Sequence, residues 1–136
     1  MTLTDAGPLI ALINRNDPHH QKCVAALSDL PTGPLITTWA CFTEAMHLLC
    51  RAGGHQAQKE LWRLVSNDRV RLHDLSVEEV SRTAALMEQY RDRPMDLADA
   101  SLVATAESLS FQDVFTLDND FHVYRLRSGT SLRVVP

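Results

Sequence analysis

Pro94-Met95-Asp96-Leu97-Ala98-Asp99-Ala100-Ser101-Leu102-Val103-Ala104-Thr105-Ala106 puts two carboxylates at the head of an otherwise apolar helix. From Leu97 to Leu109 the residues are mostly Ala, Leu and Val, which predicts a helix covered over much of its circumference rather than along one stripe. Asp96 and Asp99 share one face of its first turn, where free backbone N–H groups favour negative charge. Capping accounts for Asp96. An acid inside the first turn of a covered helix is costly unless something positive or protic meets it, so Asp99 calls for a partner.

Around this stretch, short apolar strands alternate with helices. On the N-terminal side, Met1–Thr4 reads as a strand ending at Asp5, and Ala6-Gly7-Pro8 as a turn into a short helix over Leu9–Ile13. Pro18 opens a second helix to about Leu27, with Asn16-Asp17 as its cap and Val24 and Leu27 facing inward. Leu35-Ile36-Thr37 is a second strand, and Thr38 caps a helix from Trp39 to about Arg51, stopped by Gly53-Gly54. His55–Val65 is a further helix and Arg69–Leu72 a third strand. Ser76 with Glu79 forms a capping box that opens a helix to about Tyr90. On the C-terminal side, Asp113–Leu117 and Leu132–Val135 are strands, with Asp118-Asn119-Asp120 after the first of them. Strand–helix alternation implies right-handed crossovers and a mainly parallel sheet of about four to five strands between helical layers, an α/β/α architecture. The length of 136 residues fits one domain spanning 1–136.

Composition narrows the function classes. Hydrophobic residues make up 45% of the chain and its formal net charge is −4, which argues against broad nonspecific duplex binding. The longest apolar run, Leu9–Ile13, is too short to cross a membrane, and no basic leader precedes it, so a cytoplasmic protein with no membrane partner is expected. Cys23, Cys41 and Cys50 lack paired spacing and read as buried thiols in a reducing compartment. Trp39 and Trp62 fall at helical positions that suit a core or a dimer interface.

In sheets of this kind the ligand crevice lies at the C-terminal edge of the strands. Asp5 follows the first strand and Asp118 the fourth, while Glu44 and Asp99 lie on helices entered from that same edge. Like charges about 4 Å apart repel by roughly 4 kcal/mol at an effective dielectric near 20. Such convergence therefore requires protons or a cation. Oxygen ligands without thiolate or imidazole select a hard ion, Mg²⁺ or Mn²⁺, which keeps waters and accepts phosphate oxygens. That chemistry suits hydrolysis of a phosphodiester.

Four segments together resemble the PIN-domain family, and within it proteins of the VapC toxin type. They are Asp5-Ala6-Gly7-Pro8-Leu9-Ile10-Ala11-Leu12, Glu44 in its helix, Pro94-Met95-Asp96-Leu97-Ala98-Asp99-Ala100, and Thr116-Leu117-Asp118-Asn119-Asp120-Phe121. The resemblance implies an α/β/α PIN-like fold and a Mg²⁺- or Mn²⁺-dependent endoribonuclease acting on RNA, with homodimerisation and an antitoxin protein as partner. It carries Asp5, Glu44, Asp99 and Asp118 over as the catalytic, metal-holding acids, with Asp96 as a further acid and Thr116 as the polar residue before the last one. Gly7 departs from the Ser or Thr of many members. The loop after Thr116 is shorter than in many relatives, which leaves either Asp118 or Asp120 to face the metal.

Other readings stay open at this point. A non-cleaving PIN-like module that binds RNA or protein has the same outline, though it has no need of a repelling quartet. A Mg²⁺-dependent aspartyl phosphotransfer domain needs a late lysine, and the only lysines are Lys22 and Lys59. Glu44-Ala45-Met46-His47 has di-iron spacing but no second copy, and His19, His20 and Cys23 would need zinc ligands from elsewhere. Arg91 and Arg93, just before the acidic helix, are candidates for an RNA phosphate, with Arg125, Arg127 and Arg133 as a second basic strip.

Overall fold

A computed structural model describes all residues from Met1 to Pro136. Its strands are β1 (Thr2–Thr4), β2 (Leu35–Thr38), β3 (Val70–His73), β4 (Asp113–Phe115) and β5 (Arg133–Val135). They form one sheet in the order β3-β2-β1-β4-β5, and every adjacent pair is parallel. The helices are α1 (Ala6–Ile13), α2 (His20–Asp29), α3 (Trp39–Ser66), α4 (Val77–Gln89) and α5 (Leu97–Leu109), and a 3₁₀ turn covers Asn119–His122.

Successive strand residues point to opposite faces, and each face meets its own helices. Leu3, Ile36 and Val114 join Leu86 of α4 and the apolar residues of α5 in one core. Leu35, Val70 and Phe115 join Leu9, Cys23, Phe42, Leu49 and Leu61 in the other. The expected α/β/α layering follows from this alternation. Helix α5 is buried without a break from Ala98 to Ala106, as its all-round apolar composition requires. The predicted capping box at Ser76 and Glu79 is present, with both reciprocal hydrogen bonds.

Several local expectations are corrected. Helix α1 begins at Ala6, directly after Asp5, because Pro8 falls in the first turn, where no intrahelical N–H is needed. In α2 the inward residues are Cys23 and Ala26, whereas Val24 and Leu27 are 47% and 37% exposed. The smaller side chains let α2 approach α1. The break expected at Gly53-Gly54 is, by contrast, present: Gly54 leaves helical geometry at φ 65° and ψ −157°, so the α3 span consists of two helices that meet there. Strand β4 ends at Phe115 rather than Leu117. Trp39 and Trp62 are half-exposed and flank the buried Phe42 edge-on, with centroids 5.8 and 5.0 Å from its ring, so neither is a core residue. Cys50 is exposed, unlike Cys23 and Cys41.

Candidate active site

The site is assembled where the chain leaves the central strands. The Asp5 backbone N–H donates to Phe115 O at 2.9 Å, which ties the end of β1 to β4. The Asp5 side chain then caps α1, accepting from Ala6 N at Oδ1 (2.8 Å). Its Oδ2 accepts from the Thr116 hydroxyl at 2.9 Å, and the Cys41 thiol lies 3.8 Å from Oδ1. Thr116 also accepts from Asp118 N at 3.0 Å, so one hydroxyl links the first acid to the backbone of the last. Burial raises the Asp5 pKa above the ordinary Asp range. Ala6 and Thr116 oppose the rise, and the charges of Asp118 and Asp96 add to it.

Asp96 caps α5 by accepting from Asp99 N at 2.8 Å. Asp99 is 7% exposed and receives the Tyr124 hydroxyl at Oδ2 (3.0 Å). Its pKa is pushed up to about 8, first by desolvation and then by the charges of Asp96 and Asp5, against the Tyr124 hydrogen bond. Glu44, on the second turn of α3, is exposed. Even so, partial burial raises its carboxyl, followed by the charges of Asp5, Asp96 and Asp118. The charges of Asp96 and Asp118 thus reach Asp5, Glu44 and Asp99 alike, which brings the five acids together at the C-terminal edge of the sheet.

Asp120 is directed elsewhere. It holds Arg93 at 2.8 Å, and among the raised groups only Tyr124 feels its charge, whereas Asp118 acts on Asp5, Glu44 and Asp99. Arg91 pairs with exposed Glu88 at 3.3 Å, so both arginines before α5 already have carboxylate partners. In the second basic strip, Arg133 grips Asp113 through two hydrogen bonds and Arg125 turns back onto the carbonyls of His122, Val123 and Tyr124. His20 Nδ1 lies 2.6 Å from Ala11 O, which accounts for that imidazole locally. Sequence reasoning missed Tyr124 and Cys41. Cys41 is the N3 residue of α3, and its burial against Asp5 raises the thiol pKa. Nothing in local spacing points to Tyr124.

No three His, Cys, Asp or Glu side chains gather tightly enough to hold an ion as they stand, so the acids form an open ring rather than a closed chelate. In chemistry and sign they nevertheless fit a hard divalent cation. The donors are all carboxylates, and three of them are held above their ordinary pKa in part by the charge of the others. An ion that retains several waters also suits widely set ligands. Two well-formed cavities lie elsewhere. One, of about 530 Å³, lies between α4, α5 and the Leu126–Thr130 loop; the other, of about 790 Å³, is lined by α1, α2, α3 and the starts of β2 and β3. The acids occupy neither cavity. Asp5 and Asp99 are buried, whereas Glu44 is exposed.

Comparison with known proteins matches this arrangement to a family. The family described as "PIN domain" matches residues 2–126. The chain belongs to the PIN domain family. Ribonuclease VapC26 of Mycobacterium tuberculosis is 23% identical to this PIN domain over 135 residues, covering 98% of the chain and 99% of that protein. Among solved structures, M. tuberculosis VapC20, described as a Sarcin-Ricin loop cleaving toxin, superposes with a TM-score of 0.84 at 19% identity and covers all of both chains. A chain of a toxin-antitoxin complex from Klebsiella pneumoniae gives a TM-score of 0.69 at 20% identity, covering 89% of this chain and 90% of that one. These structural likenesses establish the shared fold.

Proposed function

We propose that this PIN domain is a metal-dependent endoribonuclease, the toxin of a toxin–antitoxin pair. The observation that carries the reading is the electrostatic convergence of Asp5, Glu44, Asp99 and Asp118, which come from four separate elements. Burial first, and then the charges of neighbouring acids among Asp5, Asp96 and Asp118, raise the pKa of the first three. In this reading the four acids hold Mg²⁺ or Mn²⁺, with Asp96 in an outer position and Asp120 left to Arg93. Bound there, such an ion polarises a phosphodiester oxygen and lowers the pKa of a water molecule. The chain's own part is to fix the acids. Ala6 N and the Thr116 hydroxyl lock both oxygens of Asp5, and the Tyr124 hydroxyl orients Asp99, whose backbone N–H is capped by Asp96. In this reading an RNA strand meets the acids from the side of the exposed Glu44, and Arg93, which is 40% exposed, can exchange Asp120 for an RNA phosphate with Arg91 nearby.

An antitoxin partner is supported by the relatives solved as toxin-antitoxin complexes. The groove along α1, α2 and α3 suits it, since Val24 and Leu27 lie exposed there beside Leu12, Leu64, Arg15 and Arg69. Homodimerisation and a cytoplasmic setting complete the proposal, and no helix is long and apolar enough to cross a membrane. The test is incubation of the pure chain, free of any inhibitor, with a mixed pool of single-stranded and structured RNA. Cleavage is expected with Mn²⁺ or Mg²⁺, and neither with EDTA nor with Asp5→Asn. RNA binding without cutting under either metal would instead establish a non-cleaving module.

A further inference from the structure

The segment after β4 delivers more than an acid. It also brings a hydroxyl to each of the two buried acids, Thr116 to Asp5 at 2.9 Å and Tyr124 to Asp99 at 3.0 Å. The two acids differ in what else holds them. Asp5 has a backbone N–H on one oxygen and Thr116 on the other, whereas Tyr124 is the one protein donor to the Asp99 carboxylate. The terminal torsion of an Asp side chain is broad and roughly two-fold, so packing alone does not fix the plane of its carboxylate. A single well-placed donor does.

Tyr124 is itself immobilised. It is 2% exposed, and its ring meets Tyr90 edge-on at 5.1 Å and Phe121 at 5.3 Å. The Arg93–Asp120 pair pins the 3₁₀ turn that carries Phe121, while the Tyr90 hydroxyl has a partner of its own, accepting from Arg125 N at 2.8 Å, and Tyr90 packs on Tyr124 through its ring alone. The phenol is also neutral. A lysine or arginine in its place would hold Asp99 by neutralising it and would compete with a bound cation, while a phenol orients the carboxylate and leaves its charge to the site.

We propose that Tyr124 is a positioning residue of the acidic centre, holding Asp99 Oδ2 so that Oδ1 is presented to a divalent cation. This inference rests on the reading of Asp5, Glu44, Asp99 and Asp118 as the cation site. Partners of this kind typically change metal affinity by about 10–100-fold when removed.

The test is Mn²⁺ binding by calorimetry to the full chain, comparing wild type, Tyr124→Phe and Tyr90→Phe. Each variant loses one phenolic hydroxyl from the same ring stack, but only Tyr124→Phe loses the contact with Asp99. Tyr124→Phe is expected to bind Mn²⁺ at least about tenfold more weakly, and Tyr90→Phe to bind like wild type. Equal affinity in wild type and Tyr124→Phe overturns the positioning role and leaves the cation site standing. Absence of Mn²⁺ binding by wild type overturns both. Should Tyr124→Phe fail to fold, the wild type still decides. The chain has two tyrosines, so ¹³Cζ-labelled tyrosine gives two resonances, assigned with Tyr90→Phe. Saturating Mg²⁺ is expected to move the Tyr124 line, and a line that stays fixed while Mg²⁺ binds overturns the proposal.

Discussion

Replacing Asp99 with Asn should make the metal-free protein more stable, by an amount that grows with pH. Asn keeps the shape and still accepts the Tyr124 hydroxyl, but removes one charge from the opening shared with Asp5 and Asp96. An aspartate whose pKa rises on folding stays protonated in the native state at pH values where the unfolded chain has already lost that proton. Native stability therefore falls as pH climbs through the window from 3.8 to about 8, and is level on either side. Each pK unit corresponds to about 1.4 kcal/mol, which caps the full effect at about 6 kcal/mol. Solvent screening of the exposed neighbours Glu44 and Asp96, and relaxation of the acids around Asp99, reduce it to about 2–3 kcal/mol. In a chain of 136 residues that is a shift in Tm of roughly 7–10 °C. The assay is thermal unfolding of wild type and Asp99→Asn in EDTA at pH 4.0 and pH 8.5, taken as about the ends of that window. The variant should gain little at the acid end and the full shift at the alkaline end. A gain of equal size at both ends, or a loss at alkaline pH, would refute the electrostatic account of Asp99.

Three further outcomes follow from other parts of the fold. Thr116→Val, which removes the hydroxyl shared by Asp5 and Asp118 N, should cost about 1–3 kcal/mol in denaturant unfolding and lower Mn²⁺-dependent RNA cleavage at least tenfold. Ser76→Ala should destabilise by about 1 kcal/mol. The native state holds the Glu79 carboxyl below its ordinary pKa through Ser76 and His73, despite opposing desolvation, so its contribution is present above pH 4.5 and is lost as pH falls below that value; urea titrations at neutral and acid pH read both effects. Arg82→Ala should cost about 1–3 kcal/mol, because the half-buried Glu107 loses its two hydrogen bonds from Arg82 and keeps only the one from Arg127 N; chemical unfolding checks the size.

The layered fold and the placing of its acids could be read in advance because both depend on local pattern. Short apolar runs between capped helices specify a covered parallel sheet, and a residue just past such a strand must lie at the sheet edge. The face of α2 could not be read this way. Cys23 with Ala26, and Val24 with Leu27, have the same helical spacing and differ by one residue in register. Close approach to α1 selected the smaller pair and left the larger one lining a groove. Asp118 and Asp120 are equivalent in sequence because the residue that distinguishes them, Arg93, precedes α5, 27 residues from Asp120, and pairs with it only in the folded chain. Tyr124 was invisible for the same reason, since its tie to Asp99 spans 25 residues and leaves no periodic trace. The exposure of Trp39 and Trp62 depends on how α3 lies over Phe42, which helical spacing alone does not determine.

The most direct test of the acidic centre is a Mn²⁺ titration of the pure protein at pH 7, run in two buffers of different ionisation enthalpy so that proton release is counted along with binding. With Asp99 held at about 8, binding is predicted to expel about one proton or more, and both Asp5→Asn and Asp99→Asn are predicted to lose most of the affinity. Mn²⁺ that binds without releasing protons, or equally well to both variants, would contradict the claim that these acids form one cation site.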